Sequence, residues 1–524
     1  MLTCESKAMW VKRKRDLQAT YAFKRLIREM TTSGDLTHRW GVTLAPWQRT
    51  THKTPASPKR NNVSSTPGTF QRVAIQLRRW TPDLISFSDS NLTVPIVIPT
   101  VIRAGTSTSP RYKMSVARPS DGWTSLNSLG SWPSCSPTSQ EQIRAVLATA
   151  DFEQLRALAL TARVTQPEAG GKATNPDLSC TIEQSSFAYG FNNVVLEVSF
   201  SDRVYWIAKI RYMPGNSSQE AEDAVDLLSE IATMRTVKER TSIPVPQVFA
   251  FDASPSNQVG YPYILMEYLG GRPLESTIAS QVPSESLPKV AKQLAEVLFQ
   301  LHGLAFTRLG RIWCGENCDE PLQIIPFDDS ATSPKTSIEW FYAHRQEENR
   351  RALQGHSHDP EWRTACWVLK VAVPHIVIEG RVHGPFPLCH LDLHHGNLLF
   401  DDDYNLTGVI DWSNAQTVSL ERLVVSPEFI TFPGGTEERN EKILTFRSLI
   451  REQLRNLEDA ECLEDRTTLP SHLVGSKRAD VTHRCTYSLP HRALWDGRLV
   501  ARLIYGDTIS WEQLVRVYGH AEIT

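Results

Sequence analysis

The sequence has no apolar run long enough to cross a membrane as a helix. Its most apolar early stretch, residues 91–101 (NLTVPIVIPTV), contains two prolines and reaches only about half of the length that a span requires. The N-terminus also lacks the continuous apolar core of a secretory signal. We therefore expect no membrane span and no secretion.

Cysteine is also scarce. The 524 residues include 9 cysteines, an odd number spread along the chain, which is unlike the paired cysteines of a secreted disulfide framework. Cys314 and Cys318 form a C-x-x-x-C pattern with no second pair at metal-binding spacing, which indicates free thiols and not a zinc site. These features predict a reducing, cytoplasmic location.

The net charge of −2 hides an uneven distribution. Residues 1–140 contain 20 Lys and Arg against 7 Asp and Glu, so the remaining chain is acidic. This basic region is rich in Ser, Thr and Pro and shows no helical or strand period. It cannot bury enough apolar surface to offset its ordering entropy. We therefore expect residues 1–140 to be largely disordered.

The basic residues are interpreted first as a solvated tail without a partner, and they leave two targeting alternatives open. Lys12–Arg15 is a cluster typical of a nuclear address, and the first 30 residues are basic enough for a mitochondrial presequence. Glu5, Asp16 and Glu29 argue against the presequence, because transit peptides contain few acidic residues. Aromatic residues are not interleaved with the basic ones on a folded face, so we expect no nucleic-acid binding.

The strongest chemical signal lies in residues 389–412 (CHLDLHHGNLLFDDDYNLTGVIDW). His390, Asp392 and Asn397 follow the order H-x-D-x-x-x-x-N, and Asp411 ends a short apolar run. An aspartate can orient and deprotonate a hydroxyl, while an amide and a carboxylate oxygen are ligands that Mg²⁺ prefers. The pattern predicts a phosphoryl-transfer site with Asp392 as the catalytic residue and Asn397 and Asp411 as metal ligands.

This segment resembles the catalytic and metal-binding loops of the aminoglycoside phosphotransferase and choline kinase-like family. That family has the protein-kinase-like fold, and its metal aspartate commonly stands in a sequence such as Ile410-Asp411-Trp412. The resemblance implies an α+β, two-lobed fold, with a small antiparallel β-sheet lobe and a larger helical lobe. It also implies ATP and Mg²⁺ as cofactors. We expect a basic region at 1–140, an N-terminal helix (141–166) and small lobe at 141–268, and the helical lobe at 269–524.

A kinase-like site also needs a lysine on a strand and a glutamate on the next helix. Lys209 lies in an apolar strand that resembles the V-A-I-K strand of kinases, and burying it requires a partner. Glu230 is the expected partner, on a helix over 221–238, and Glu222 is the competing candidate. In kinases such a pair positions the α- and β-phosphates of ATP.

Two further segments fit the nucleotide site by position. Residues 185–193 precede the lysine strand, and Gly190 there allows the backbone to approach a phosphate closely, although a single glycine equally suits an ordinary hairpin turn. Residues 263–274 indicate a buried strand that ends at a Gly-Gly-Arg-Pro breaker. We expect the backbone of Glu267, Tyr268 and Leu269 to bind the adenine edge.

The segment after Asp411 is short, which favours a small hydroxylated substrate over a peptide. Ser426-Pro427-Glu428 is interpreted as a chance likeness to a protein-kinase motif, and His394-His395 as loop packing and not as a metal site. The sequence predicts transfer of the γ-phosphoryl group of ATP to a hydroxyl of a small molecule. The alternatives are a non-catalytic nucleotide-binding scaffold and a protein kinase.

Overall fold

The computed structural model describes residues 118–121, 123–125, 136–165, 177–213, 215–327, 333–430, 437–463 and 468–521. The predictions of disorder and of a targeting signal fall mainly on residues 1–117, which lie outside the described residues.

An antiparallel sheet forms the small lobe. Its strands are β1 (Cys180–Ile182), β2 (Ala188–Tyr189), β3 (Asn193–Phe200), β4 (Tyr205–Arg211), β5 (Val248–Asp252) and β6 (Tyr263–Glu267). The strand order is β1-β3-β4-β6-β5, and β2 pairs with the start of β3. The β3–β4 hairpin contains the two longest strands of the sheet, of 8 and 7 residues. Both strands are rich in β-branched and aromatic residues, which favour strand structure.

The register of the hairpin divides the sheet into two faces. Val195 lies opposite Lys209, and Glu197 lies opposite Ile207, so these four side chains share one face. The alternate residues of both strands face the other way. They pack into an apolar core with two helices that precede the sheet.

These helices, α1 (Pro137–Thr149) and α2 (Phe152–Thr165), replace the single helix expected over 141–166. Ala150 has extended backbone (φ −68°, ψ 139°), and the Asp151 carboxylate accepts a hydrogen bond of 2.9 Å from the backbone N–H of Gln154. The aspartate thus caps a new helix, which divides the periodic apolar pattern into two segments.

Residues 118–121 and 123–125 contact the sheet on the face that carries Glu197 and Lys209. Arg118 donates to the Glu197 carboxylate from Nε at 3.1 Å and from Nη2 at 2.7 Å, and the backbone N–H of Ser120 donates to it at 2.9 Å. Thr124 forms an isolated β-bridge with Phe187. This segment, named here the Arg118–Ser125 strap, seals the carboxylate of Glu197, which is fully buried.

Helix α3 (Ser217–Arg240) follows the sheet's lysine strand and begins earlier than the predicted 221. Asn216 sets this start, because its side chain caps the backbone N–H of Gln219 at 3.0 Å. After β6 the chain enters the larger, helical lobe.

The helical lobe is built around two long helices, α5 (Leu287–Gly303) and α10 (Glu437–Ala460), whose apolar faces share one core. Its other helices are α4 (Ile278–Gln281), α6 (Ser337–Gln354), α7 (Pro360–Val371), α8 (Val373–Ile376), α9 (Leu420–Leu423), α11 (Pro470–Leu473), α12 (Lys477–Tyr487), α13 (Ala493–Tyr505) and α14 (Trp511–Tyr518).

Short strands of this lobe include those that flank the loops of the motif residues. They are β7 (Arg272–Pro273), β8 (Ala305–Phe306), β9 (Arg311–Trp313), β10 (Gln323–Ile325), β11 (Phe386–Cys389), β12 (Leu398–Phe400), β13 (Leu406–Val409) and β14 (Gln416–Thr417). The β12–β13 hairpin joins the two motif loops, because the first loop ends where β12 begins and the second starts where β13 ends. The segments around Asp392 and Asp411 therefore lie side by side.

Candidate active site

Lys209, Glu230 and Asp411 meet in the cleft. The Nζ atom of Lys209 lies 2.7 Å from Glu230 Oε1 and 2.9 Å from Asp411 Oδ1. Lys209 and Glu230 are both buried, whereas 43% of the Asp411 side chain is exposed. The contact to Glu230 is the one expected from the sequence, and the competing Glu222 is exposed on the same helix.

The charges of the three groups depend on one another. Burial alone would lower the pKa of Lys209, but the carboxylates of Asp411 and Glu230 outweigh that effect and raise it. Lys209 in turn lowers the pKa of Asp411 to about 2. Burial raises the pKa of Glu230. Near neutral pH the cleft therefore holds an ammonium group beside an ionised Asp411.

Asp411 is held in an unusual backbone conformation, with φ of 61°, just beyond the end of β13. The backbone N–H of Ile410 donates to the carbonyl of Asn397 at 3.0 Å. The hydroxyl of Ser413 donates to Asp411 Oδ1 at 3.1 Å. These bonds fix the carboxylate of Asp411 beside the loop that contains Asp392.

His390 is buried next to the loop that contains Asp392. Burial lowers its pKa, so the ring is neutral at physiological pH. Its Nε2 atom lies 3.0 Å from the carbonyl oxygen of Ile410, and its Nδ1 accepts from the backbone N–H of Asp392 at 3.3 Å. Because a carbonyl can only accept, the proton lies on Nε2. The ring thus connects the two motif loops.

Asp392 faces the open cleft, and 59% of its side chain is exposed. The Nε2 atom of His394 lies 3.7 Å from Asp392 Oδ2, and His394 Nδ1 accepts from the backbone N–H of Gly396 at 2.9 Å. His394 thereby places an N–H donor beside the carboxylate while it caps the short turn.

Asn397 is nearly buried and shares the loop with Asp392. Its Nδ2 donates to the Asp392 carbonyl at 2.9 Å, so the amide orientation is determined and Oδ1 is the atom left for a cation. Together with the Asp411 carboxylate this is a pair of hard oxygen donors, which fits Mg²⁺.

The linker between the lobes, residues 267–274, begins at the end of β6, and the loop with Gly190 lies between β2 and β3. The side chain of Glu267 accepts from Lys238 Nζ at 2.8 Å and from the backbone N–H of Gln247 at 3.0 Å, so that side chain is used within the fold. Tyr268 and Leu269 follow the end of β6. A Cβ atom at Gly190 would meet no heavy atom within 4 Å, so internal packing does not require glycine there.

One contact was missed from the sequence. The Oε2 atom of Glu428 lies 3.1 Å from His395 Nδ1, and its backbone N–H donates to the carbonyl of Leu393 at 2.9 Å. Ser426-Pro427-Glu428 is therefore packed against the loop of Asp392, and its interpretation as a chance likeness gave it no role. No local pattern signals a contact across 33 residues.

The side chains of His394, His395 and Glu428 approach one another closely, and one ligand atom from each lies within 4.8 Å of the others. His394 Nδ1 accepts from the backbone N–H of Gly396, and His395 Nδ1 lies 3.1 Å from Glu428 Oε2. The interpretation of His394-His395 as loop packing stays a prediction.

The described residues form an α+β, two-lobed fold of the kinase-like phosphotransferase type, with a strand lysine, a helix glutamate and a cleft aspartate in contact. Residues 187–417 match the model of the phosphotransferase enzyme family known as APH. The chain is similar to that family over this segment.

Curated relatives are similar over short regions. A subtelomeric hrmA-associated cluster protein of Aspergillus fumigatus is 31% identical over 117 residues, covering 22% of this chain and 23% of the relative. Altered inheritance of mitochondria protein 9 of Vanderwaltozyma polyspora is 27% identical over 130 residues, covering 23% of this chain and 20% of the relative. The matches thus span less than a quarter of these relatives' lengths.

Solved structures are similar at low identity. A macrolide 2′-phosphotransferase from Brachybacterium faecium has a TM-score of 0.36 and 14% identity, covering 71% of this chain and 100% of the other. An ethanolamine kinase from Plasmodium vivax has a TM-score of 0.34 and 13% identity, covering 73% and 92%. In the part of the chain that the structure describes, no helix has the length and apolar character to cross a membrane.

Proposed function

We propose that this chain is a phosphotransferase that moves the γ-phosphoryl group of ATP to a hydroxyl of a small molecule. The observation that carries the proposal is the contact of Lys209 with both Glu230 and Asp411, beside a loop that presents Asp392 to the cleft. A purely structural ion pair would not need a third, half-exposed carboxylate in a positive-φ conformation.

The residues divide the work of transfer between them. Lys209, steadied by Glu230, would hold the α- and β-phosphates, and Asn397 Oδ1 and Asp411 would hold Mg²⁺. The metal ion supplies charge neutralisation on the phosphates when bound. The backbone of Glu267, Tyr268 and Leu269 would bind the adenine edge, and Gly190 would allow the loop before β3 to approach the phosphates.

Asp392 would orient the acceptor hydroxyl and take its proton as the phosphoryl group moves. The carboxylate is suited to this task because it is exposed to the cleft and has an imidazole N–H nearby. Positioning and charge neutralisation account for most of the rate in such reactions. The protein therefore has to hold the acceptor in line with the γ-phosphate.

The chain after Asp411 supports a small acceptor. Gln416–Thr417 already pairs with β11, and Thr417 is fully buried. The chain thus returns to the core within six residues of Asp411, which leaves no long segment there to form a platform for a peptide. This argues against a protein kinase.

A turnover assay tests the proposal. Purified full-length protein would be incubated with ATP and Mg²⁺ and with aminoglycosides, amino alcohols, sugars and hydroxy acids, while ADP release is measured. We expect acceptor-stimulated release that falls by about 10³-fold or more in Asp392→Asn. That variant should bind ATP·Mg²⁺ and unfold like the wild type, because the side chain is exposed. Equal turnover in the variant, or no ATP binding by the wild type, would overturn the proposal.

We also propose a reducing intracellular compartment, since seven described cysteines are free thiols and five of them are buried. The relative from Vanderwaltozyma polyspora is named as mitochondrial. Fluorescence microscopy of the full chain fused to a reporter would distinguish the cytosol from the mitochondrion.

A further inference from the structure

Arg422 is a nearly buried cation whose side chain has no hydrogen-bond or carboxylate partner among the residues that the structure describes. Only 9% of the residue is exposed, and its Nη1 is buried with no hydrogen-bond partner. The other buried arginines of the described chain each donate to a carboxylate, amide or carbonyl oxygen: Arg163 to Asp202, Arg211 to Asp223, Arg484 to Asp496, and Arg345 to Asn349 and Cys485. Arg422 is the exception among them.

Aromatic rings cover the faces of this guanidinium. Its Cζ lies 3.6 Å from the ring centroid of Tyr487 and 5.7 Å from that of Trp340. Both rings are partly exposed. Stacking of this kind holds the plane of the guanidinium and leaves its N–H edge for an in-plane acceptor. Carboxylates and phosphates fit such an edge with two parallel hydrogen bonds.

The position of Arg422 connects it with the proposed acceptor side of the site. Tyr487 and Ser426 share a hydrogen bond of 2.9 Å between their hydroxyls, and Ser426 donates to the carbonyl of Arg422 at 2.8 Å. Two residues further, Glu428 donates from its backbone to Leu393, the neighbour of Asp392. Arg422 therefore belongs to the wall that is built against the loop of Asp392.

A charge buried without a partner is costly, and this cost is most simply recovered when a ligand supplies the counter-charge. Trp340 lies in α6, which stands between the linker and the catalytic loop in the sequence. The described wall therefore offers a cation with aromatic faces, which suits an anion.

We propose that the phosphoryl acceptor carries an anionic group, a carboxylate or a phosphate, that pairs with Arg422 while its hydroxyl reaches Asp392. The inference rests on the proposed function for its catalytic half. Such an acceptor is opposite in charge to a cationic amine.

Anion binding by the full chain tests the pairing. Protein saturated with the non-hydrolysable analogue AMP-PNP and Mg²⁺, which fills the γ-phosphate position, would be titrated calorimetrically with inorganic phosphate and, separately, with glycerate. We expect at least one anion to bind, with affinity reduced 10-fold or more in Arg422→Gln and unchanged in Arg455→Gln, an exposed arginine of α10. The stronger of the two titrations distinguishes a phosphate from a carboxylate.

The variant Arg422→Lys is a control that distinguishes a loss of anion binding from a loss of folding. It keeps the charge but loses the bidentate edge, so we expect a loss of binding smaller than that of Arg422→Gln. Equal anion affinity in the wild type and Arg422→Gln, or no anion binding by the wild type, would overturn the proposal. The proposal would also be overturned if a cationic amino alcohol stimulated Asp392-dependent ADP release to the same extent in the wild type and in Arg422→Gln.

The two proposals fail in different ways. Anion titration of the nucleotide-free protein still reports on Arg422 if AMP-PNP does not bind, and in that case only the phosphotransferase assignment is lost. Conversely, Asp392-dependent turnover can persist with an acceptor that ignores Arg422, and then only the anionic acceptor is refuted.

Discussion

Replacing Glu230 by glutamine removes one negative charge from a buried ion pair and keeps the shape of the side chain. Lys209 would retain Asp411 at 2.9 Å, but its buried charge would lose the partner at 2.7 Å. Breaking a buried pair from one side costs about 3–5 kcal/mol. Because Asp411 and the new amide oxygen compensate in part, we expect the free energy of unfolding to fall by about 2 kcal/mol.

The measurement is urea unfolding of the full chain, followed by tryptophan fluorescence and circular dichroism and extrapolated linearly to water. Trp206 reports on the small lobe, since it is buried and stacks on Phe249 at 4.0 Å. The matched control is Glu222→Gln, the same substitution at an exposed position of the same helix, for which we expect a change within about 0.5 kcal/mol. Equal stability of the two variants would refute the argument that Glu230 compensates the charge of Lys209.

Two further predictions concern the cleft and the linker. The pKa of Asp411, about 2, lies below the ordinary value of about 3.9, so ionised Asp411 stabilises the fold above about pH 4, and this contribution is lost as the pH falls towards 2. Since 43% of the side chain is exposed, we expect a loss of only roughly 1 kcal/mol, which Asp411→Asn would not show in acid unfolding. Gly271→Ala should cost about 2 kcal/mol in urea unfolding, because φ is +109° and the new Cβ would lie against Thr407 Oγ1 and 2.9 Å from the Phe400 carbonyl oxygen. Gly270→Ala, with open space, is its control, and equal unfolding of the two would contradict this reasoning.

Local pattern was sufficient to predict the elements whose partners are close in sequence. The β3–β4 hairpin follows from two apolar strands around a tight turn, and the loop of Asp392 follows from its spacing. The resemblance to the phosphotransferase family rests on the same residues. Glu230 was preferred over Glu222 because Lys209 needed a partner, and the structure places Glu230 there.

Contacts between distant segments could not be predicted in this way. Glu428 meets His395 across 33 residues, and Arg118 meets Glu197 across 79, and nothing in either local sequence indicates the other. The break between α1 and α2 is different, because it could have been predicted from the sequence. Asp151 is a good N-cap residue, but it lies within a stretch of continuous helical periodicity. The prediction of one helix followed the helical periodicity of the apolar residues and gave too little weight to the N-cap residue.

The Arg118–Ser125 strap bears on where this protein can be cut. The family match begins at Phe187, yet the carboxylate of Glu197 depends on donors from Arg118 and Ser120. A fragment starting at Phe187 would lose those donors. It would also lose α1 and α2, which cover the apolar face of the sheet. A fragment of the matched region alone would therefore expose an apolar surface and leave Glu197 without Arg118 and Ser120, so the smallest portion expected to fold independently begins before Arg118.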